Sequence, residues 1–135
     1  MFGIVLVTHG AIGQEMLSAL NQIVGPQEQA KALSIAPDDD MDKCRKIILS
    51  SIREVNSGDG VVLLSDMFGG TPSNLALSVM PNTDAVVLAG VNLPVLVKLA
   101  ALRGEASLLD AVTEAAAAGR KYIQLVTENL APPTS

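Results

Sequence analysis

The run Ile4-Val5-Leu6-Val7-Thr8-His9-Gly10 decides how the rest of the chain is read. An apolar stretch of that length, closed by glycine and followed by residues recurring at a helical period, is the pattern of a strand covered on both faces and leading into a helix. It ends at His9, the only histidine in the chain. A strand-to-helix junction presents free backbone N–H groups that attract anions, and imidazole changes charge near neutral pH. The pairing points towards phosphate chemistry. A packed histidine with satisfied hydrogen bonds is the plain structural alternative at a single position.

Outward from this stretch the pattern repeats. Ile12, Met16, Leu17, Leu20, Ile23 and Val24 form a helical stripe that Gly25-Pro26 ends. Residues 30–36 alternate polar and apolar, as in a half-exposed strand near an edge. Asp38, Asp39 and Asp40 stand where the next helix begins; capping and helix-dipole charge explain them better than a metal cluster does. Met41, Cys44, Ile47, Ile48, Ile52 and Val55 continue the stripe, which makes Cys44 a core residue. Val61-Val62-Leu63-Leu64-Ser65-Asp66 is a second buried strand, ending in an acid. Met67-Phe68-Gly69-Gly70 is a loop, and Thr71-Pro72-Ser73-Asn74 starts a helix with Thr71 as N-cap and Pro72 at its first position. A strand over 85–91, a helix from Leu93, and an Ala-rich helix from Ser107 to Ala118 with Gly119 at its end follow. Residues 121–127 read as a last short strand.

The expected fold is an α/β domain over residues 1–130: an open, mostly parallel sheet with helices on both faces and a final antiparallel edge strand. Residues 131–135, with two prolines, read as a disordered tail. One domain suits 135 residues. Apolar residues make up 49% of the chain and aromatic residues only 2%, so aliphatic side chains must build the core. A net charge of −5, without clusters of Lys and Arg, argues against nucleic acid. One cysteine forms no internal disulfide, and one Cys with one His falls short of the three or four ligands of a zinc site. No signal peptide is apparent, and no apolar run reaches the ~20 residues of a membrane span. A cytoplasmic protein with no metal, no cofactor and no membrane insertion is expected.

Ligands of an open parallel sheet bind beyond the carboxyl ends of the strands, where strand order reverses. His9, Asp66 and Asn92 all lie at such ends. If the first and third strands are neighbours, Asp66 can accept a hydrogen bond from one ring nitrogen of His9, fixing the tautomer and freeing the other nitrogen to attack. The chain has no G-x-S-x-G, G-x-x-x-x-G-K-[ST] or G-x-G-x-x-G sequence, which leaves serine hydrolysis and nucleotide binding without support. Covalent capture of a phosphoryl group by His9 remains, with charge stabilised by the Gly69-Gly70 nest and the Thr8 or Thr71 hydroxyl. The competing reading is an α/β interaction module with no phosphotransfer.

Residues 4–10, the loop Asp66-Met67-Phe68-Gly69-Gly70-Thr71-Pro72-Ser73-Asn74 and the segment Ala89-Gly90-Val91-Asn92-Leu93-Pro94 together resemble the enzyme IIA domain of the mannose-class bacterial phosphotransferase system. The resemblance spans nearly the whole chain. It implies a phosphotransferase in which His9 accepts a phosphoryl group from phosphorylated HPr and passes it to an enzyme IIB histidine, with Asp66 orienting the ring and Gly70 and Thr71 close to the transferred group. It also implies a homodimer in which the last strand is exchanged. Some family members continue into a IIB domain; here the acceptor is expected on a separate chain. A second implied role is a phosphorylation-state sensor that binds a regulator instead of driving sugar uptake. Two departures stand out: Thr71 replaces a serine and Phe68 a larger aromatic found in some relatives.

Overall fold

The computed structural model describes residues 1–127. Four parallel strands, β1 (Gly3–His9), β2 (Ala30–Ile35), β3 (Val61–Ser65) and β4 (Ala85–Ala89), lie in the order β2-β1-β3-β4. β1 pairs with β2 on one side and β3 on the other, with Val7 opposite both Leu33 and Ser65. The chain therefore leaves β1 in one direction and later returns to its other side. That reversal makes the β1/β3 boundary the switch point of the sheet.

Strand alternation sends side chains into two cores. Ile4, Leu6, Val62 and Leu64 pack on one face under α1 (Ile12–Val24), α4 (Leu93–Leu102) and α5 (Leu108–Lys121). Val5, Val7, Val61 and Leu63 pack on the other under α2 (Met41–Val55) and α3 (Thr71–Val79). Apart from Phe2 and Cys44 the buried core is aliphatic, as the small share of aromatic residues requires. The acidic start of α2 is a cap: Asp40 accepts from the amides of Asp42 and Lys43, and Asp39 from that of Ala36. Cys44 is buried among the α2 side chains.

At the opposite end of the sheet from His9, Arg103 gathers chain segments that sequence periodicity does not connect. Its guanidinium donates to the carbonyls of Phe2, Glu28 and Gln29 and lies over the Phe2 ring. The five donors of the planar guanidinium reach all three carbonyls in a fixed fork geometry.

Beyond shifts of a residue or two at strand ends, three departures from the sequence pattern have a structural cause. Gly70, not Thr71, is the N-cap of α3, so Thr71 and Pro72 are its first two residues. Gly119 lies inside α5 rather than at its end, because a β-carbon there would meet Val95 Cγ2 at 2.5 Å; close approach of α4 selects glycine and the helix continues to Lys121. The expected fifth strand over 121–127 is not formed in the single chain: Lys121 is helical and 123–127 carry no regular structure. A strand needs a neighbour to take its hydrogen bonds. The tail expected over 131–135 lies outside the described residues.

Candidate active site

Parity along β1 aims the two residues at its end. Leu6 faces the α1 layer and Val7 the α3 layer, so Thr8 turns towards α1 and His9 towards α3. Thr8 is fully buried, and its hydroxyl accepts from the Gly13 amide of α1 at 2.8 Å. The expected phosphate contact from Thr8 is thus replaced by a structural one, which holds the first turn of α1 against the strand.

His9 leaves nearly half of its side chain exposed (48%), whereas Asp66 beside it is 13% exposed. Neighbouring strands β1 and β3 bring the two together across the switch point. Asp66 Oδ2 accepts from the His9 ring at Nδ1 (2.8 Å) and from the His9 backbone amide (3.1 Å); its Oδ1 accepts from the Met67 amide (3.2 Å). An ionised carboxylate only accepts, so Nδ1 carries the ring proton and Nε2 keeps a free lone pair.

Burial pushes the Asp66 carboxyl up, but hydrogen bonds from the His9 ring and the backbone amides, with the field of the ring, outweigh it and hold the group below the usual carboxylate range. A folded-state value below the unfolded one contributes stability above the ordinary aspartate value of about 3.9, and that contribution is lost as pH falls through the folded value. Asp66→Asn should therefore remove one component of acid destabilisation below about pH 4, measured by denaturant unfolding against pH. On the expectation that His9 takes up a phosphoryl group, the same change should slow that step by about 10²-fold, because the amide can donate as well as accept and no longer selects the tautomer. A wild-type transfer rate in the variant would remove Asp66 from the machinery.

The free edge of the ring faces Gly70. A β-carbon built on Gly70 would lie 2.8 Å from His9 Cε1 and 3.3 Å from Nε2, so the missing side chain is what leaves room beside Nε2. Gly70 caps α3 without a side-chain hydrogen bond, and the opening N–H groups of that helix have no intrahelical partner. Such a terminus carries partial positive charge. Thr71 is exposed, and its side chain lines, with His9, Ile35, Pro37, Asp39 and Met41, a cleft of about 460 Å³. Gly69 plays a different part from the one expected: its amide donates to Ser73 Oγ at 3.0 Å and its φ of +90° supplies the turn. Asn92 stands apart from the ring, capping α4 through Val95 N–H and donating to the Gly119 carbonyl of α5. Among the described residues no group of three His, Cys, Asp or Glu could hold a metal ion, and no helix is long and apolar enough to cross a membrane.

Residues 3–117 match the family model for the PTS system fructose IIA component, and the chain belongs to that family. It is 28% identical over 123 residues to the mannose-specific EIIAB component of Escherichia coli K12, spanning 90% of this chain and 38% of that protein. With the fructose-specific EIIA component of Bacillus subtilis it shares 24% identity over 131 residues, 96% of this chain and 90% of that one. Among solved structures, the EIIA component from Streptococcus agalactiae superposes with a TM-score of 0.81 at 26% identity, covering 92% of this chain and 96% of its own. The mannose/sorbose-specific IIA subunit from Enterococcus faecalis, with a TM-score of 0.83 at 22% identity over 96% of this chain and 98% of its own, shares the fold.

Proposed function

We propose that this chain is a cytoplasmic phosphocarrier: His9 Nε2 accepts a phosphoryl group from phosphorylated HPr and hands it to a histidine of enzyme IIB, for sugar uptake. The observation that carries the reading is the His9–Asp66 contact of 2.8 Å, with Nε2 turned to the open start of α3. In the acceptor step the Nε2 lone pair forms the new P–N bond as the donor's P–N bond breaks. Nδ1 keeps its proton on Asp66, so the ring gains no second proton. Charge spread over the equatorial phosphoryl oxygens is met by Gly70, the first amides of α3 and the Thr71 hydroxyl, donors fixed before the reaction begins. No metal is needed for transfer between two histidines.

The test is incubation with phosphoenolpyruvate, enzyme I and HPr. One equivalent of acid-labile, base-stable phosphate per chain is expected. No incorporation, with HPr itself fully phosphorylated, would refute the assignment.

A homodimer with exchanged C-terminal segments belongs to the same proposal. Two observations support it. Among the described residues no strand pairs with the outer edge of β4, and Ile123, Leu125 and Val126 are 74%, 80% and 68% exposed beyond the end of α5. A partner's 121–127 segment laid antiparallel on β4 would satisfy both. Sedimentation should give a dimer for the full chain and a folded monomer for a chain ending at Lys121; an unchanged dimer after truncation would place the interface elsewhere.

A further inference from the structure

We infer that Ser73 is a positioning residue for phosphoryl transfer: its buried hydroxyl latches the turn at Gly69 and Gly70 so that the Thr71 amide faces the group carried by His9 Nε2. The inference rests on the phosphocarrier reading and goes further by naming what holds the anion-facing turn in shape.

Ser73 is the third residue of α3 and is fully buried. Its Oγ accepts from the Gly69 amide at 3.0 Å and donates to the Gly70 carbonyl at 3.2 Å. The Asn74 amide donates to that same carbonyl at 3.0 Å. A trans peptide unit is planar, so the Gly70 carbonyl and the Thr71 N–H share one plane and point in opposite directions. Pinning the carbonyl into the first turn of α3 turns the Thr71 N–H out of the helix. On the other side of the turn, the bond to Gly69 holds a residue whose φ of +90° gives the chain its sharp reversal.

This bonding is not a general habit of buried serines in the molecule. The hydroxyls of Ser51 and Ser65 are buried with no hydrogen-bond partner. Ser73 instead satisfies a donor and an acceptor, and both belong to the turn whose missing side chain makes room for Nε2. Neither bond ties α3 to the sheet. Loss of the hydroxyl therefore falls on the shape of the turn, and the catalytic penalty comes from donors that must be reoriented at each turnover.

The experiment measures phosphoryl acceptance from phosphorylated HPr by Ser73→Ala, Ser73→Cys and Ser51→Ala, each checked for native folding by circular dichroism and thermal melting. Removing a direct oxyanion donor costs about 10²–10³ in rate, so loosening the element that aims one should cost about tenfold in kcat, with the KM for the donor within about twofold of wild type. Ser73→Cys, similar in shape but with a weak S–H donor, should lose less, and Ser51→Ala nothing. A wild-type kcat in folded Ser73→Ala, or a rise in KM alone, would overturn the inference. Should Ser73→Ala not fold, a wild-type kcat in folded Ser73→Cys would overturn it equally. Absence of labelling in the wild-type chain would instead sink the phosphocarrier reading, which keeps the two failures apart.

Discussion

His9→Ala should accept no acid-labile phosphate from phosphorylated HPr while keeping the melting behaviour of the wild-type chain to within a few degrees. The two halves of that expectation have separate causes. No second histidine exists to take over the nucleophile's part, so the loss is complete. Stability is spared because the side chain is nearly half exposed and contributes little burial, while Asp66 keeps the amides of His9 and Met67 as partners after the ring has gone. Surface substitutions usually stay within about 0.5 kcal/mol, and loss of one exposed hydrogen bond adds about 1 kcal/mol at most. Residual base-stable, acid-labile label in the variant would show that another group carries the phosphate.

Gly70→Ala should be nearly as damaging, for a steric reason. Gly70 has φ −83° and ψ 170°, a conformation that any L-residue adopts, so the backbone accepts alanine without strain. The methyl group, however, would sit 2.8 Å from Cε1 and 3.3 Å from Nε2, in the space a phosphoryl group must enter. Either the ring moves off Asp66 or the nucleophile stays blocked. A loss of about 10³-fold in acceptance rate is expected from the displaced reacting atom, with the fold intact. Rapid-quench transfer kinetics beside a thermal melt would check both parts; a variant that transfers at more than a tenth of the wild-type rate would show that Gly70 does not border the reaction path.

The parts of this site legible in the sequence are those that rest on period and position. Two apolar runs ending in His9 and Asp66 mark buried strands, and their ends lie where parallel sheets bind ligands. Contact between the two depended on β1 and β3 being neighbours, a fact of topology that strand order supplies and local pattern does not. Once they are neighbours, alternation along β1 settles which helix the ring meets. The same alternation turns Thr8 inward, where its hydroxyl serves Gly13.

What escaped the sequence depends on contacts between distant residues. Thr71 and Gly70 have similar intrinsic N-cap propensities, and the extended backbone at Gly70 places the cap one residue earlier. Gly119 looks like a helix stop until Val95 and Asn92 are seen pressed against it. Ser73 gave no signal apart from its place in a helix start, since its role lies in two hydrogen bonds to the preceding turn. Residues 121–127 are rich in β-branched and other apolar side chains but have no neighbour in the single chain, so composition suggests a strand that one copy does not form.

The central claim is atomic: Nδ1 of His9 holds its proton on Asp66 and Nε2 is the nucleophile. Heteronuclear NMR of the phosphorylated chain, with the histidine ring nitrogens labelled, tests it most directly. The account predicts phosphorus coupled to Nε2 of His9, with the proton retained on Nδ1. Phosphorus on Nδ1, or on a residue other than His9, would contradict it.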